Sequence, residues 1–163
     1  MPSPQGPDDI RFRRVLAGAV FEPRWPAGIS LKTLADPDAG QTARDAHQLI
    51  AEAFDDMPRD FESWWAWLSG DEDFDPELVF VAYGPDGRPL GVAQCWSSGY
   101  LKDLAVALGA RGQGIGEALV LHVFAVFQTR GVSHVDLKTN LIANAAAARL
   151  YQRLGMAEVD WAG

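Results

Sequence analysis

The sequence predicts a mixed α/β fold with a mostly antiparallel sheet that carries helices on both faces. Two observations favour this class. Three strand-forming runs within residues 78–106 are joined by tight turns, which is typical of an antiparallel meander. A strand, a glycine-rich turn, a helix and another strand follow within residues 101–139, and this order indicates a parallel pair with a right-handed crossover. The predicted sheet is therefore mixed.

The first half of the chain predicts two strands followed by two helices. Strand-forming residues dominate 11–21, and apolar and polar residues alternate over 29–34. Apolar residues then recur at helical spacing over 43–53 and again over 61–68. Trp67 lies off the apolar stripe of the second helix. Among the aromatic residues of this helix, Trp67 is therefore the one whose presence is least explained by core packing.

The second half predicts the meander, a helix, a strand, a helix and one short last strand. The meander strands cover 78–83, 89–97 and 100–106, with a Gly-Pro-Asp-Gly turn between the first two. Helices are predicted over 117–130 and 144–154, and a glycine follows each of them. A strand between these helices and a short one after them complete the sheet.

Length and composition indicate one globular domain of 163 residues, with 48% hydrophobic and 22% charged residues. We expect the polar, proline-rich residues 1–9 to form a disordered tail and residues 10–163 to form a single domain. The start of the chain does not resemble a signal peptide, and no apolar run is long enough to span a bilayer. These features predict a cytoplasmic protein with no membrane partner.

The charge balance is acidic and unevenly distributed. The formal net charge is −8, which argues against a broad nucleic-acid-binding surface. Residues 52–77 contain ten acidic residues and only one basic residue, Arg59. Two interpretations stay open, namely a solvated face and a field that attracts a cationic partner.

Because Cys95 is the single cysteine and the histidines show no metal-ligand spacing, we expect no metal site.

The glycine-rich turn between the last meander strand and the next helix is the central functional feature. It reads Arg-Gly-Gln-Gly-Ile-Gly over residues 111–116. Glycines let a ligand approach the backbone closely, and the free N–H groups at a helix start attract anions. The turn therefore predicts a cradle for a diphosphate or a carboxylate. A dinucleotide fingerprint and a P-loop are both excluded, because the third glycine and the Gly-Lys pair that they need are missing.

Two motifs in order resemble the GNAT superfamily of acyl-coenzyme A N-acyltransferases. Residues 111–116 match its R/Q-x-x-G-x-G/A signature. Residues 144–156 are similar to its N-x-x-A-x-x-L-Y-x-x-x-G-F signature, with Met156 in place of phenylalanine. The clear resemblance covers 100–156, and the earlier elements agree in order. It implies a GNAT-like fold that moves an acetyl group from acetyl-CoA to a small-molecule or protein amine, by direct attack in a ternary complex.

The resemblance also implies roles for individual residues. The strand before the turn would bind the pantetheine arm and the thioester through its backbone, and the turn would bind the pyrophosphate. Asn144 would contact the coenzyme, although asparagine is also a good helix N-cap. Tyr151 would act as the general acid, and the alternative is a packed core tyrosine. The implied coenzyme-binding residues are Leu104, Ala105, Val106, Arg111, Gly112, Gln113, Gly114, Ile115, Gly116, Glu117 and Asn144.

The general base is not obvious from the sequence. Asp103 is the only carboxylate close to the thioester along the chain, although regular strand alternation argues against its facing the substrate. Asp136 lies too far back on its strand. The missing obvious base leaves an alternative function open, namely a non-catalytic acyl-CoA-binding sensor or protein-interaction module. The presence of Tyr151 favours the enzyme.

The two ends of the predicted sheet differ from the family pattern. Family members commonly have two strands after the last helix, and this chain has room for only one. We expect the extra N-terminal strand to fill the vacant place by pairing near the C-terminal strand, in the same chain or across a homodimer.

In the family, the two helices after the first strand usually form one wall of the acceptor site. Because residues 41–68 are acidic here and include Trp67, we expect a cationic acceptor.

Overall fold

The computed structural model describes residue 6 and residues 8–161, and within them seven strands and four α-helices form one mixed α/β layer structure. The strand order is β2-β3-β4-β5-β6-β1-β7, and every described pair is antiparallel except β5–β6. The predicted class and element order are confirmed. The elements are β1 (Asp9–Val15), β2 (Ser30–Thr33), α1 (Ala39–Ala53), α2 (Phe61–Ser69), β3 (Val79–Tyr83), β4 (Pro89–Trp96), β5 (Tyr100–Val106), α3 (Ile115–Thr129), β6 (His134–Asn140), α4 (Ala145–Arg153) and β7 (Ala157–Val159).

Two apolar clusters hold the helices against opposite faces of the sheet. On one face, α3 and α4 contribute Leu119 and Tyr151 to a cluster that includes Phe12 of β1. On the other face, Ile50 of α1 and Trp64 of α2 pack against β3 and β4. Both clusters consist of side chains spaced at the helical or strand period, which is why the sequence pattern predicted these elements. No helix in the described residues is both long and apolar enough to cross a membrane.

The N-terminal strand β1 fills the place between β6 and β7 of the same chain. It pairs antiparallel with both of them, so Phe12 lies opposite Leu137 of β6. The carboxylate of Asp136 on β6 accepts hydrogen bonds from the Nε atoms of Arg11 and Arg13, each at 2.8 Å. Asp136 is almost fully buried, so this ion cluster fixes the register of β1. The expected pairing near the C-terminal strand is confirmed, and it is made within one chain.

The boundaries of β1 differ from the prediction at both ends. Most of the expected tail lies outside the described residues, but Asp9 already belongs to β1 and accepts a hydrogen bond from the Asn140 amide at 3.0 Å. The strand ends at Val15 instead of residue 21. Gly18 has a φ of +75°, which turns the chain away from the sheet. Residues 16–29 therefore form a connector over α3, where Gln128 donates to two of its carbonyls.

The parallel strands β5 and β6 diverge after their first residues. In the described structure their ladder is a single pair, Tyr100 opposite Asp136. A bulge lies in β5, because Gln94 of β4 pairs with Asp103 while Cys95 pairs with Leu101. Side chains therefore change face at this point, and Leu101 joins one apolar cluster while Ala105 joins the other. The divergence opens a gap in the sheet, and the bulge decides which side chains of β5 border it.

Candidate functional site

A cleft of about 570 Å³ lies where β5 ends, between the glycine turn, the start of α3 and α4. We call it the glycine-turn cleft. All of the predicted coenzyme-binding residues line it except Gln113, which is exposed between two glycines in left-handed conformation. Sequence reasoning missed further lining residues, and the clearest are Phe54, Ala147, Leu150 and Arg153.

The glycine turn leaves room for a ligand against its backbone. Gly112 and Gly114 have φ values of +79° and +86°, which other residues rarely adopt, and a Cβ at either position would meet nothing within 4 Å. Gly114 is the N-cap of α3 and provides no side chain to the first turn of the helix. The first N–H groups of a helix have no partner within it. The turn therefore presents unpaired donors and open space on the same side.

Two arginines lie at the rim of the cleft, and one of them is paired with a carboxylate. Arg111 donates from Nε to the carbonyl oxygen of Val106 at 3.3 Å. Arg153 forms an ion pair with Glu117 at 3.2 Å, and both of these residues line the cleft. Helical spacing was the signal that could have identified Arg153, since it follows Leu150 of the cleft by three residues. Helix N-terminus and guanidinium groups together fit a phosphate-bearing ligand.

Tyr151 and Asn144 project from α4 toward the gap between β5 and β6. Burial, together with the charge of Asp103, raises the pKa of the Tyr151 hydroxyl, so the phenol stays protonated across the physiological range. Asn144 is the N-cap of α4, but its side chain makes no capping hydrogen bond. Instead Asn144 lines three adjoining cavities. A purely local capping role does not account for this asparagine.

A second cavity of about 460 Å³ lies on the other side of the gap, and we call it the acidic cavity. A smaller cavity between the two shares Lys102, Lys138 and Asn144 with the acidic cavity and Tyr151 with the glycine-turn cleft. The two larger spaces are thus linked through the gap in the sheet. The charged residues that line the acidic cavity are Asp9, Asp56, Asp71, Lys102, Asp103 and Lys138.

Asp103 is a buried carboxylate at the wall of the acidic cavity. Only 5% of the residue is exposed, and its Oδ2 atom has no hydrogen-bond partner among the described residues. Burial raises its pKa, which the ammonium of Lys102, 3.4 Å from Oδ1, opposes. Asp103 lines the cavity, against the expectation from regular strand alternation, because the bulge at Lys102 reverses the direction of the side chains that follow it. A carboxylate with a raised pKa is suited to accept a proton near neutral pH.

Comparison with known proteins decides the family. The sequence model of the acetyltransferase (GNAT) family matches residues 43–156, more than half of the chain. The chain belongs to the GNAT family.

Three similar proteins illustrate this membership. Mycothiol acetyltransferase of Beutenbergia cavernae is 32% identical over 152 residues, which are 82% of this chain and 47% of the relative. Streptothricin acetyltransferase of Streptomyces lavendulae is 37% identical over 84 residues, 48% of this chain and 44% of the relative. A GCN5-related N-acetyltransferase structure from Sphaerobacter thermophilus has a TM-score of 0.79 and 31% identity, over 93% of this chain and 48% of that one. The chain spans about half the length of these relatives.

The acidic segment of this GNAT chain contributes only part of its charge to the cavity. Asp56 and Asp71 line the cavity, whereas the neighbouring Asp55 is fully exposed and pairs with Arg59 at 3.4 Å. Trp67 also lines the cavity, but its ring already faces the ammonium of the chain's own Lys102, 5.8 Å from the centroid. Asp55 therefore fits a solvated face, and attraction of a cationic partner by Asp56 and Asp71 stays a prediction.

The sequence did not identify two lysines that line the acidic cavity. Lys102 and Lys138 each lie two residues beyond the single ladder pair of β5 and β6, Tyr100 with Asp136. Both therefore follow the point where the strands diverge, and both line the acidic cavity. Asp136 does not line any of the cavities and instead binds the arginines of β1, as its position far back on the strand predicted. Within the described residues, no cluster of three metal-ligating side chains occurs.

Proposed function

We propose that this GNAT domain transfers the acetyl group of acetyl-CoA to an amine by direct attack within a ternary complex. The observation that carries the proposal is the link between the glycine-turn cleft and the acidic cavity at the β5–β6 gap. Asp103 lines the acidic cavity, and Tyr151 lines the cleft. One space can thus hold the thioester and the other the amine, with a proton acceptor and a proton donor on opposite sides of the reacting atoms.

The glycine-turn cleft fits acetyl-CoA. The turn offers donors and open space to the pyrophosphate, and Arg111 and Arg153 supply positive charge nearby. Beyond Tyr100 the described residues form no ladder between β5 and β6, so this edge of β5 offers backbone groups to the pantetheine arm, apart from the Val106 carbonyl that accepts from Arg111. Asn144 would contact the same arm from the opposite wall.

The chemistry requires a neutral amine and a protonated leaving group. Asp103 accepts a proton from the incoming ammonium, and the amine nitrogen then forms a bond with the thioester carbonyl carbon. The carbon–sulfur bond breaks, and the Tyr151 hydroxyl gives its proton to the departing thiolate. Burial raises the pKa of both groups, which makes the ionised Asp103 carboxylate a stronger base and keeps the Tyr151 hydroxyl protonated. The nitrogen passes its remaining excess proton to the Tyr151 phenolate, and Asp103 returns its own proton to solvent after product release.

The acceptor is a cationic amine that enters the acidic cavity, and the names of the two curated relatives point to different acceptors. Release of the coenzyme thiol should be measured with acetyl-CoA and a panel of amines. We expect amine-dependent thiol release that Asp103→Asn and Tyr151→Phe both reduce. Tight acetyl-CoA binding without amine-dependent release for any member of the panel would instead indicate a non-catalytic acyl-CoA-binding module.

A further inference from the structure

We infer that Asn140, the last residue of β6, is a positioning residue that holds Asn144 at the coenzyme, and that β1 takes part in acetyl-CoA binding through its contact with Asn140. The inference rests on the proposed function, in which Asn144 contacts the pantetheine arm, and adds what fixes Asn144 in its place. It follows from the hydrogen bonds of residues 141–144, which we call the β6–α4 loop.

Burial contributes little to the conformation of the β6–α4 loop. All four of its residues are exposed, and its two large apolar side chains, Leu141 and Ile142, are 43% and 74% exposed. The side chain of Asn144 makes no capping hydrogen bond, so its position depends on the backbone that carries it. Because few buried contacts hold the loop, hydrogen bonds to its backbone must fix it.

Asn140 accepts hydrogen bonds from three successive amides of the loop. Its Oδ1 atom accepts from the N–H groups of Ile142 and Ala143, at 3.0 and 2.8 Å. Its backbone carbonyl accepts from the N–H of Asn144 at 2.9 Å. One residue therefore determines where these three amides lie, and its side-chain nitrogen remains available to donate elsewhere.

The strand β1 fixes the orientation of the Asn140 side chain. Asp9 lies opposite Asn140 in the ladder, and its Oδ1 atom accepts from the Asn140 amide at 3.0 Å. The hydrogen bond from the Gly6 N–H, and then that from Asn140, lower the pKa of Asp9, so this carboxylate stays ionised and offers only acceptors. Asn140 must therefore turn its nitrogen toward β1 and its oxygen toward the loop. Leu141 also donates its N–H to the carbonyl of Asp8, at 3.2 Å.

The loop controls Asn144 more than it controls the rest of α4. Asn144 borders the glycine-turn cleft, the acidic cavity and the smaller cavity between them. Further along the helix, Ala148 and Tyr151 are buried in an apolar cluster. Loss of the Asn140 hydrogen bonds should therefore displace Asn144 while Tyr151 stays in place. The result should be weaker binding of acetyl-CoA.

The test measures the Kd of acetyl-CoA by calorimetric titration for Asn140→Ala, Asn144→Ala and the double variant. Loss of one hydrogen bond to the coenzyme should raise the Kd in each single variant by about two- to tenfold. If Asn140 acts through Asn144, the double variant should bind no more weakly than Asn144→Ala alone. A role of Asn140 that does not involve Asn144 would instead make the two effects add.

An exchange of side chains tests the link to β1. Asn140→Asp keeps an acceptor for the loop but places a second carboxylate beside Asp9, so it should weaken acetyl-CoA binding. Adding Asp9→Asn should restore the Kd, because the amide at position 9 can then donate to the carboxylate at position 140.

The control for lost stability is Asp60→Ala. The Asp60 side chain accepts from the Ser63 N–H at the start of α2, and it lines none of the three cavities. This variant should therefore lower the thermal stability and keep the Kd of acetyl-CoA.

Three results would overturn the inference while Asn144→Ala still weakens acetyl-CoA binding. They are an unchanged Kd in folded Asn140→Ala, additive effects in the double variant, and failure of Asp9→Asn to restore the Kd of Asn140→Asp. An unchanged Kd in folded Asn144→Ala would refute the proposed role of Asn144 and this inference together. If the Kd values follow the expected pattern and no amine is acetylated, the proposed function fails and this inference stands.

Discussion

A substitution at Gly114 should distinguish most clearly between an effect on coenzyme binding and an effect on folding. It caps α3 with a φ of +86°, and a Cβ built there meets nothing within 4 Å. Gly114→Ala therefore creates no clash in the free protein and adds only the strain of a left-handed residue, about 1–2 kcal/mol. We expect the variant to remain folded, with its free energy of unfolding lowered by about that amount.

The effect on acetyl-CoA binding should be larger than the effect on stability. The added methyl group occupies space that the pyrophosphate needs, and relief of the strain reorients the N–H groups of the turn. Hydrogen bonds to charged groups contribute roughly 1.5–3 kcal/mol each. Loss of one or two such bonds weakens binding by roughly 3 kcal/mol, which is roughly a hundredfold increase in Kd.

The matched control is Gly131→Ala, at the other end of the same helix. Gly131 has a φ of +80° and equally open surroundings, but it does not line the cleft. Calorimetric titration with acetyl-CoA and thermal unfolding should be measured for both variants. We expect similar losses of stability and a loss of affinity for Gly114→Ala alone. Unchanged affinity in folded Gly114→Ala, or equal loss in Gly131→Ala, would refute the assignment of the turn.

Three further predictions concern titratable groups. Tyr151→Phe should lower the single-turnover rate by roughly 10²–10⁴-fold while the Kd of acetyl-CoA changes little, and an unchanged rate would remove this residue from the mechanism. Because burial raises the pKa of Asp103, kcat/KM should fall on the acid side as the pH drops through that raised pKa. Asp103→Asn should lack this limb, and identical profiles would contradict the assignment of the base. Burial alone would raise the pKa of Asp136, but hydrogen bonds from Arg13 and Arg11 lower it overall. The stability from these bonds is therefore present above the ordinary pKa of aspartate and is lost as the pH falls through the lowered one. Asp136→Asn should cost about 2–3 kcal/mol at neutral pH and less in acid, as measured by urea unfolding, whereas a pH-independent difference would argue against the ion cluster.

Local patterns in the sequence predicted most of the fold. Apolar residues at helical spacing identified α1 and α2, and the glycines of residues 111–116 identified the turn before α3, because these signals act over a few neighbouring residues. The place of β1 beside β7 was predicted because the predicted element order has one strand after the last helix, where the family commonly has two. Its early end at Val15 did not follow, since the strand-forming composition continues to residue 21 while Gly18 turns the chain.

The acidic cavity was harder to predict because it depends on the pairing register between strands that are distant in sequence. The bulge at Lys102 depends on how β5 pairs with β4, and regular alternation gives the opposite face for Asp103. Asp9 reaches the cavity only because β1 pairs with β6 so that it lies opposite Asn140. No local pattern separates Asp56, which lines the cavity, from Asp55, which does not. Such contacts depend on the packing of distant segments rather than on neighbouring residues.

Initial rates over a grid of acetyl-CoA and amine concentrations test the central claim most directly. If the thioester and the amine meet at the β5–β6 gap, both substrates must be bound before any product leaves. The double-reciprocal plots should then intersect, and mass spectrometry should identify the acetylated amine. Parallel lines with an acetylated protein intermediate, or thiol release that does not depend on the amine, would contradict direct transfer between the two linked spaces.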